Sequence, residues 1–202
     1  MLKKLNKFLL VLMIIPCVFL FASCKETKPQ TLTYTISYEL NGGENAPNNP
    51  TSYNSDVQNM PILDATRENY DFAGWFTEST FENRITAIKS GDSGDKIFYA
   101  KWTPKAYKIN YELNGGTQNP ENLTSYNIES ADIALKNPTK EGYTFVGWFA
   151  DESLTNKVEK IEAGSTGDKT FYAKWDVITY SISYELDGGT QNPENVTSYT
   201  IL

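Results

Sequence analysis

Cys24 is the residue whose type and position point most directly to a chemical modification. It follows Phe21, Ala22 and Ser23 at the end of an uncharged run, residues 8–20, which three lysines precede and polar residues follow. This run of 13 residues fits the apolar region of a secretory signal peptide. It is shorter than the roughly 18 residues of a membrane-spanning helix. We therefore predict that residues 1–23 are a signal peptide and that the chain is exported.

The Phe-Ala-Ser-Cys junction resembles the lipobox of bacterial lipoprotein signal peptides. In that motif small or apolar residues precede a cysteine that is lipidated and becomes the new N-terminus, and Phe21 stands where leucine is usual. The resemblance implies lipidation of Cys24, a membrane partner bound through this anchor, and a cell-surface location on the extracellular side of the bacterial membrane. Two or three acyl chains anchor a protein stably, whereas one chain does not. The alternative is an ordinary signal peptide in which Cys24 is incidental.

Acidic residues are the other side chains that could do chemistry. Asp92 with Asp95, and Asp151 with Glu152, could be imagined as the carboxylate pairs of a glycosidase. However, the residue 73 positions after Asp92, in a related loop, is Ser165 and not an acid. We therefore interpret these acids as solvated loop residues and predict no enzyme activity and no catalytic residue.

A cation site is the next alternative. Residues 90–95, Ser-Gly-Asp-Ser-Gly-Asp, offer oxygen ligands for calcium, but Asp95 and Asp168 are the only acids kept in both related loops, too few for a site. The sequence has no histidine, Cys17 lies in the predicted signal peptide and Cys24 is the predicted lipidation site. No thiol or imidazole then remains for zinc, a disulfide or a nucleophile. We predict no metal site and no cofactor.

The charge of the mature chain disfavours one class of partner. The full sequence has 18 basic and 25 acidic residues, and residues 1–23 contain three of the lysines and none of the acids. The 15 basic and 25 acidic residues that remain give a net charge near −10. This charge opposes binding to nucleic acid by bulk electrostatics. We predict that the protein binds no nucleic acid.

A repeat of 73 residues organises the rest of the chain. Tyr38, Tyr111 and Tyr184 are separated by this spacing, and so are Trp75 and Trp148. The third copy reaches only Leu202, which aligns with Glu129 of the second copy. Each copy is expected to be one small domain of a tandem array. An array of this period gives no support to a two-lobed solute-binding lipoprotein, a further alternative.

Most of each copy is predicted to be β-strand. In residues 33–41 apolar and polar residues alternate, which indicates a half-buried strand, and Asn-Gly-Gly supplies a tight turn. Asn69 corresponds to Gly142, and these two residue types best tolerate a positive φ, so a fixed turn is expected there. The best helical candidate, residues 155–161, is short. The aromatic residues, including Trp75, Trp102, Trp148 and Trp175, are predicted to be mainly core rather than sugar-stacking platforms. We therefore name no ligand-binding residue, and the ligand stays unknown.

Three motifs, Tyr-x-Leu-Asn-Gly-Gly, Gly-Tyr-x-Phe-x-Gly-Trp-Phe and Phe-Tyr-Ala-Lys-Trp, resemble in order and spacing those of the internalin-type B-repeat, or Listeria–Bacteroides repeat, family. The resemblance covers two complete repeats, residues 33–103 and 106–176, and a truncated third repeat, residues 177–202. Residues 24–32 are then the lipidated N-terminus and a linker. It implies an α+β fold of tandem β-grasp domains with a ubiquitin-like mixed sheet. One departure is Asn69, where the family usually has glycine.

The expected function is that of a cell-surface lipoprotein. The resemblance implies a spacer or adhesion module that binds a host or neighbouring-cell surface protein or a glycan. One alternative is a carbohydrate-binding surface module, and another is the N-terminal fragment of a larger surface protein whose functional domain is missing. Because the third copy ends early, residues from about 178 onward are expected to be mobile or to pair their edge with another chain.

The lipobox resemblance predicts that Cys24 is the first residue of the mature protein and that it carries acyl chains. Mass spectrometry of the N-terminal peptide, purified from membranes of the producing cells, measures both properties. An unmodified N-terminus that begins at another residue would contradict the prediction.

Overall fold

A computed structural model describes residues 30–202, and the regular secondary structure in this range consists of sixteen β-strands without a helix. The predicted signal peptide and Cys24 lie outside the described residues. The strand-rich expectation is confirmed, but the helical part of the α+β prediction is wrong for residues 30–202. The helical candidate at 155–161 instead forms two short strands, because Val158 and Ile161 pair with neighbouring strands and are drawn into the core.

Seven strands form the first complete repeat. They are β1 (Thr33–Glu39), β2 (Ser52–Asn54), β3 (Asn59–Pro61), β4 (Tyr70–Phe76), β5 (Arg84–Ile85), β6 (Ala87–Lys89) and β7 (Lys96–Pro104). Five of them make one sheet in the order β2-β1-β7-β4-β5, and β3 pairs with β6 in a separate two-stranded sheet. In the centre of the larger sheet β1 and β7 are parallel, with Tyr38 opposite Phe98, whereas the other neighbours are antiparallel.

The second repeat has the same plan. Its strands are β8 (Tyr107–Glu112), β9 (Ser125–Tyr126), β10 (Ile133–Ala134), β11 (Tyr143–Phe149), β12 (Lys157–Val158), β13 (Lys160–Ile161) and β14 (Lys169–Val177). The larger sheet has the order β9-β8-β14-β11-β12, the parallel pair is β8 with β14, and β10 pairs with β13. Tyr111 lies opposite Phe171, in the same register as its counterpart in the first repeat.

The core of each repeat lies on one face of the larger sheet. Trp75 and Trp148 are 1% and 2% exposed, which confirms that these two rings are core residues. Each indole N–H donates a hydrogen bond to a backbone carbonyl, that of Leu63 at 2.8 Å and that of Lys136 at 3.1 Å. The polar end of each buried indole is therefore satisfied, as burial requires.

The tight turn after the first strand depends on glycine for a steric reason. Gly116 has no positive φ, yet a Cβ added to it would lie 2.5 Å from Cζ2 of Trp175. Trp175 in turn donates its indole N–H to the carbonyl of Leu113 at 2.9 Å, which closes the turn on the last strand. The expected turn at Asn69 and Gly142 is confirmed, with φ of 63° and 72°.

The third copy forms a hairpin of β15 (Tyr180–Ser181) and β16 (Ser198–Tyr199). It contacts the second repeat where the N–H of Ile178 donates to the carbonyl of Gly142 at 2.8 Å. Tyr199 is 54% exposed, whereas its counterparts Tyr53 and Tyr126 are 3% and 5% exposed. This copy therefore has the first hairpin of a repeat without the core that the complete repeats build on it.

The glycine turn predicts that Gly116→Ala destabilises the second repeat by about 1–3 kcal/mol, because the new methyl group overpacks against Trp175. The matched control is Gly189→Ala, at the same motif position of the third copy, where only Leu186 lies near the added Cβ. Urea denaturation measures both variants. Equal losses of stability in the two would show that the tryptophan contact is not the reason for glycine.

Candidate functional surfaces

Acids of the 90–95 loop and of the equivalent loop in the second repeat accept hydrogen bonds from the backbone. Asp95 accepts a hydrogen bond from the N–H of Thr35 at 2.8 Å, and Asp168 accepts one from the N–H of Lys108 at 2.8 Å. The bond from Thr35 holds the pKa of Asp95 below its ordinary value. Each carboxylate thus joins the loop before the last strand to the edge of the first strand. Asp92 accepts instead from the N–H of Lys89 at 2.7 Å.

Asp151 organises a local turn. Its carboxylate accepts hydrogen bonds from Ser153 and Thr155 and from the N–H of Asn156 at 2.6 Å, and these bonds lower its pKa far below the ordinary value. A carboxylate held ionised in this way is not suited to act as a general acid near neutral pH. Within residues 30–202 no group of three or more His, Cys, Asp or Glu side chains is placed to hold a metal ion.

A groove on the outer face of the first sheet is the clearest candidate for ligand contact. Glu39, Phe81, Tyr99 and Lys101 line it, together with Arg67 at one end, and its volume is about 540 Å³. Tyr99 lies here because it alternates with buried Phe98 and Ala100 along β7 and so faces away from the core.

The second repeat has a groove at the equivalent place, with a volume of about 450 Å³. Glu112, Asn114 and Tyr172 line it at the positions of Glu39, Asn41 and Tyr99, and Glu152 replaces Ser79. Both grooves thus share an equivalent tyrosine ring, a carboxylate and an amide. The second one carries an extra acid, so the two surfaces differ in charge.

These outer-face residues were missed by the sequence analysis, which assigned shared positions to core and turn demands. The signal was present in the last-strand motif Phe-Tyr-Ala-Lys-Trp, because Tyr and Lys are kept although they alternate out of phase with the core residues. Lys101 lies 5.4 Å from the ring centroid of Phe76, and Lys174 lies 5.5 Å from that of Phe149. The lysine is therefore explained in part by its contact with a phenylalanine on the outer face of the sheet. The tyrosine has no such explanation.

The junction between the repeats is a second surface of interest. β7 ends at Pro104 and β8 begins at Tyr107. The hydroxyl of Tyr107 donates to Oδ1 of Asn69 at 2.6 Å, and the hydroxyl of Tyr70 donates to Oε1 of Glu129 at 3.0 Å. The repeats therefore touch through polar side chains beside a very short connector.

The repeat structure agrees with a family comparison. The model of the Listeria-Bacteroides repeat domain matches residues 34–101 and 107–174. The chain belongs to the Listeria-Bacteroides repeat family. The match covers both complete repeats and confirms the resemblance drawn from the three motifs.

Relatives of this chain are found among bacterial membrane and surface proteins. It is 32% identical over 80% of its length to a protein of Evansella cellulosilytica named "Putative Gly-rich membrane protein", of which it covers 18%. It is 31% identical over 75% of its length to a "Putative membrane protein" of the same organism, covering 22% of it. It is 26% identical over 74% of its length to internalin H of Listeria monocytogenes, covering 26% of it.

The chain thus spans about a fifth to a quarter of the length of these relatives. No solved structure matches it significantly. In the part of the chain that the structure describes, no helix has the length and hydrophobicity to cross a bilayer. The family and the names of the relatives point to a surface protein.

Proposed function

We propose that this chain is a cell-surface lipoprotein whose tandem repeats act as a spacer or adhesion module without catalysis. The observation that carries the proposal is the direct contact between successive repeats. The N–H of Lys105 donates to the carbonyl of Asn69 at 2.9 Å, and the equivalent bond joins Ile178 to Gly142 at 2.8 Å. The backbone just after each complete repeat is thus bonded in the same way to the turn at Asn69 or Gly142 of that repeat. Such repetition favours a semi-rigid stalk.

We also infer that each complete repeat is a β-grasp domain that lacks the usual helix. The order β2-β1-β7-β4-β5, with a parallel pair formed by the first and last strands, supports this assignment. Between the second and third strands of the large sheet, where a β-grasp domain has its helix, the chain runs as a loop with the short strand β3. Domain limits of 33–103, 106–176 and 177–202 are part of the same proposal.

The anchor and the array together define the geometry of the proposed stalk. Acylated Cys24 would hold the N-terminus at the membrane, with residues 24–32 as the linker. A globule of 70 residues has a radius of gyration of about 11 Å, so each repeat would add about 30 Å. The stalk would present its outer faces to a host or neighbouring-cell surface protein or glycan.

The spacer proposal predicts a narrow distribution of distances between the two complete repeats. Spin labels on Ser90→Cys and Ala163→Cys, equivalent exposed sites, report this distance by pulsed electron resonance on residues 25–202. Replacing Tyr70 and Tyr107 with phenylalanine removes both side-chain hydrogen bonds of the junction and should broaden the distribution.

Tyr99→Phe is the matched control for these substitutions, because it removes a hydroxyl from the outer face and leaves the junction intact. It should leave the distance distribution unchanged. A broad distribution in the unsubstituted junction would contradict the spacer role.

Carbohydrate binding is a second candidate, favoured by the paired grooves. In each groove a half-buried tyrosine ring flanked by a carboxylate and an amide offers a stacking surface and hydrogen-bond partners for sugar hydroxyls. Glycan-array binding that disappears in the Tyr99→Ala and Tyr172→Ala double variant, with unchanged melting, would support this candidate. Retention of the binding would remove the grooves from consideration.

A further inference from the structure

Arg67 is a cation that the groove of the first repeat positions without pairing it. Its guanidinium carbon lies 3.7 Å from the ring centroid of Tyr70. The same carbon approaches the glycine turn, because a Cβ added to Gly42 would lie 3.5 Å from it. Stacking against an aromatic ring restricts a guanidinium and leaves its N–H donors unused. The groove therefore holds a planar, charged donor group in place before a ligand binds.

The donors of this guanidinium are open. Within residues 30–202 the side chain of Arg67 forms no ion pair and donates no hydrogen bond, and the three ion pairs of that range all lie in the second repeat. Lys101 lines the same groove, is exposed, and has no carboxylate partner in the described part of the chain either. Glu39 also lines the groove but pairs with neither cation. Two positive charges are thus available to a ligand.

The second repeat provides an internal comparison, because its equivalent cation is already bound to the protein. Lys140 stands at the position of Arg67, and its ammonium lies 4.1 Å from the ring centroid of Tyr143. This ammonium donates a hydrogen bond to the carbonyl of Asn114 at 2.8 Å. Two carboxylates line the groove of this repeat, and no lysine or arginine is among its lining residues in the described structure. The two grooves therefore differ in the charge that they offer to a ligand.

Aromatic rings and hydrogen-bond acceptors line the rest of the first groove. Tyr99 is half-buried there, and the ring of Phe81 packs edge-to-face on Phe76 at a centroid distance of 5.6 Å. Asn41 donates its amide N–H to the carbonyl of Ala100 at 2.8 Å, which leaves its amide oxygen as an acceptor. The volume of about 540 Å³ lies in the range of small-ligand sites. One groove thus offers rings for the flat face of a sugar, acceptors for its hydroxyls and cations for an acid group.

We propose that the groove of the first repeat binds a uronic acid residue of an acidic polysaccharide, and that the groove of the second repeat does not. Arg67 pairs with the sugar carboxylate, whose two oxygens match the fork of a guanidinium. Tyr99 lies against the sugar ring, and Lys101 adds a second positive charge to the same groove. The inference rests on the carbohydrate candidate described above and names the class of its ligand.

Charge decides between an acidic and a neutral sugar. A hydrogen bond between two ionised groups is about twice as strong as one between neutral groups. A neutral sugar would leave the open guanidinium without such a partner. The net charge of the mature chain, near −10, repels a polyanion at long range. Binding therefore has to come from short-range pairing inside the groove, which recognises a single uronic acid residue.

The test is an NMR titration of isotope-labelled chain, prepared as residues 25–202, with tetrasaccharides of glucuronic, galacturonic and mannuronic acid. The methyl ester of each tetrasaccharide is its matched control, because it keeps the sugar rings and removes the charge. At least one of the acids should bind, about tenfold or more tightly than its ester.

Substitutions assign the binding to one groove. Arg67→Gln should weaken binding of the acid about tenfold or more, because it removes the charged donor group. Arg67→Lys should also weaken it although the charge is kept, since the planar fork is lost. The fold accepts lysine at the equivalent place in the second repeat, so this variant tests binding without loss of structure. Lys140→Gln, the matched control, should leave binding unchanged, and thermal melting checks the stability of all three variants.

Saturable binding that prefers the acid and depends on Arg67 but not on Lys140 supports the proposal. Equal binding of acid and ester, or equal losses in the variants of the two repeats, overturns it. Absence of binding to all three acids also overturns it. Neutral glycans that still bind on the array would then leave the carbohydrate candidate intact, and the distance distribution tests the spacer role separately. Tighter binding of a glutamate tetrapeptide than of any uronic acid overturns the proposal and assigns the groove to acidic peptides.

Discussion

Parallel pairing of the first and last strands is the interaction on which each repeat depends. The two strands lie at the centre of the larger sheet, and the residues that face the core from them, such as Ile36 and Phe98, are almost fully buried. Ile36 and Lys96, which pair across these strands, are 60 residues apart in sequence, so this pairing closes a loop that contains most of the repeat. The remaining strands extend the sheet outward from this pair.

Other features of the fold secure the same contact. The carboxylates of Asp95 and Asp168 fix the entry of the last strand, and the indoles of Trp102 and Trp175 fix its far end by donating to Leu40 and Leu113 at 2.9 Å. These bonds use local backbone partners and need no metal or disulfide. Polar residues that look available for chemistry in the sequence are thus largely committed to structure.

The sequence alone predicted the features that depend on local chain chemistry. Alternation located β1 and β8, and the exchange of Asn69 for Gly142 located a turn with positive φ. It did not predict strand order, since pairing between distant segments leaves no local period. The short helical candidate at 155–161 is instead two strands, because a segment of this length has little helical stability of its own and the pairing of Val158 and Ile161 decides its structure. The outer-face grooves were missed because Tyr99 and Tyr172, which occupy the same position in the two repeats, were assigned to the core together with their buried neighbours.

Amide hydrogen exchange at three equivalent positions tests the central role of the parallel pair most directly. Ser37 and Asn110 oppose the last strand of their repeats, whereas Ser183, the equivalent residue of the third copy, lies opposite no such strand within residues 30–202. In residues 25–202 the account predicts exchange at Ser37 and Asn110 about 1,000-fold slower than at Ser183, for opening that costs about 4 kcal/mol. Equal protection at all three amides would contradict it, because the hairpin alone would then suffice to hold the first strand.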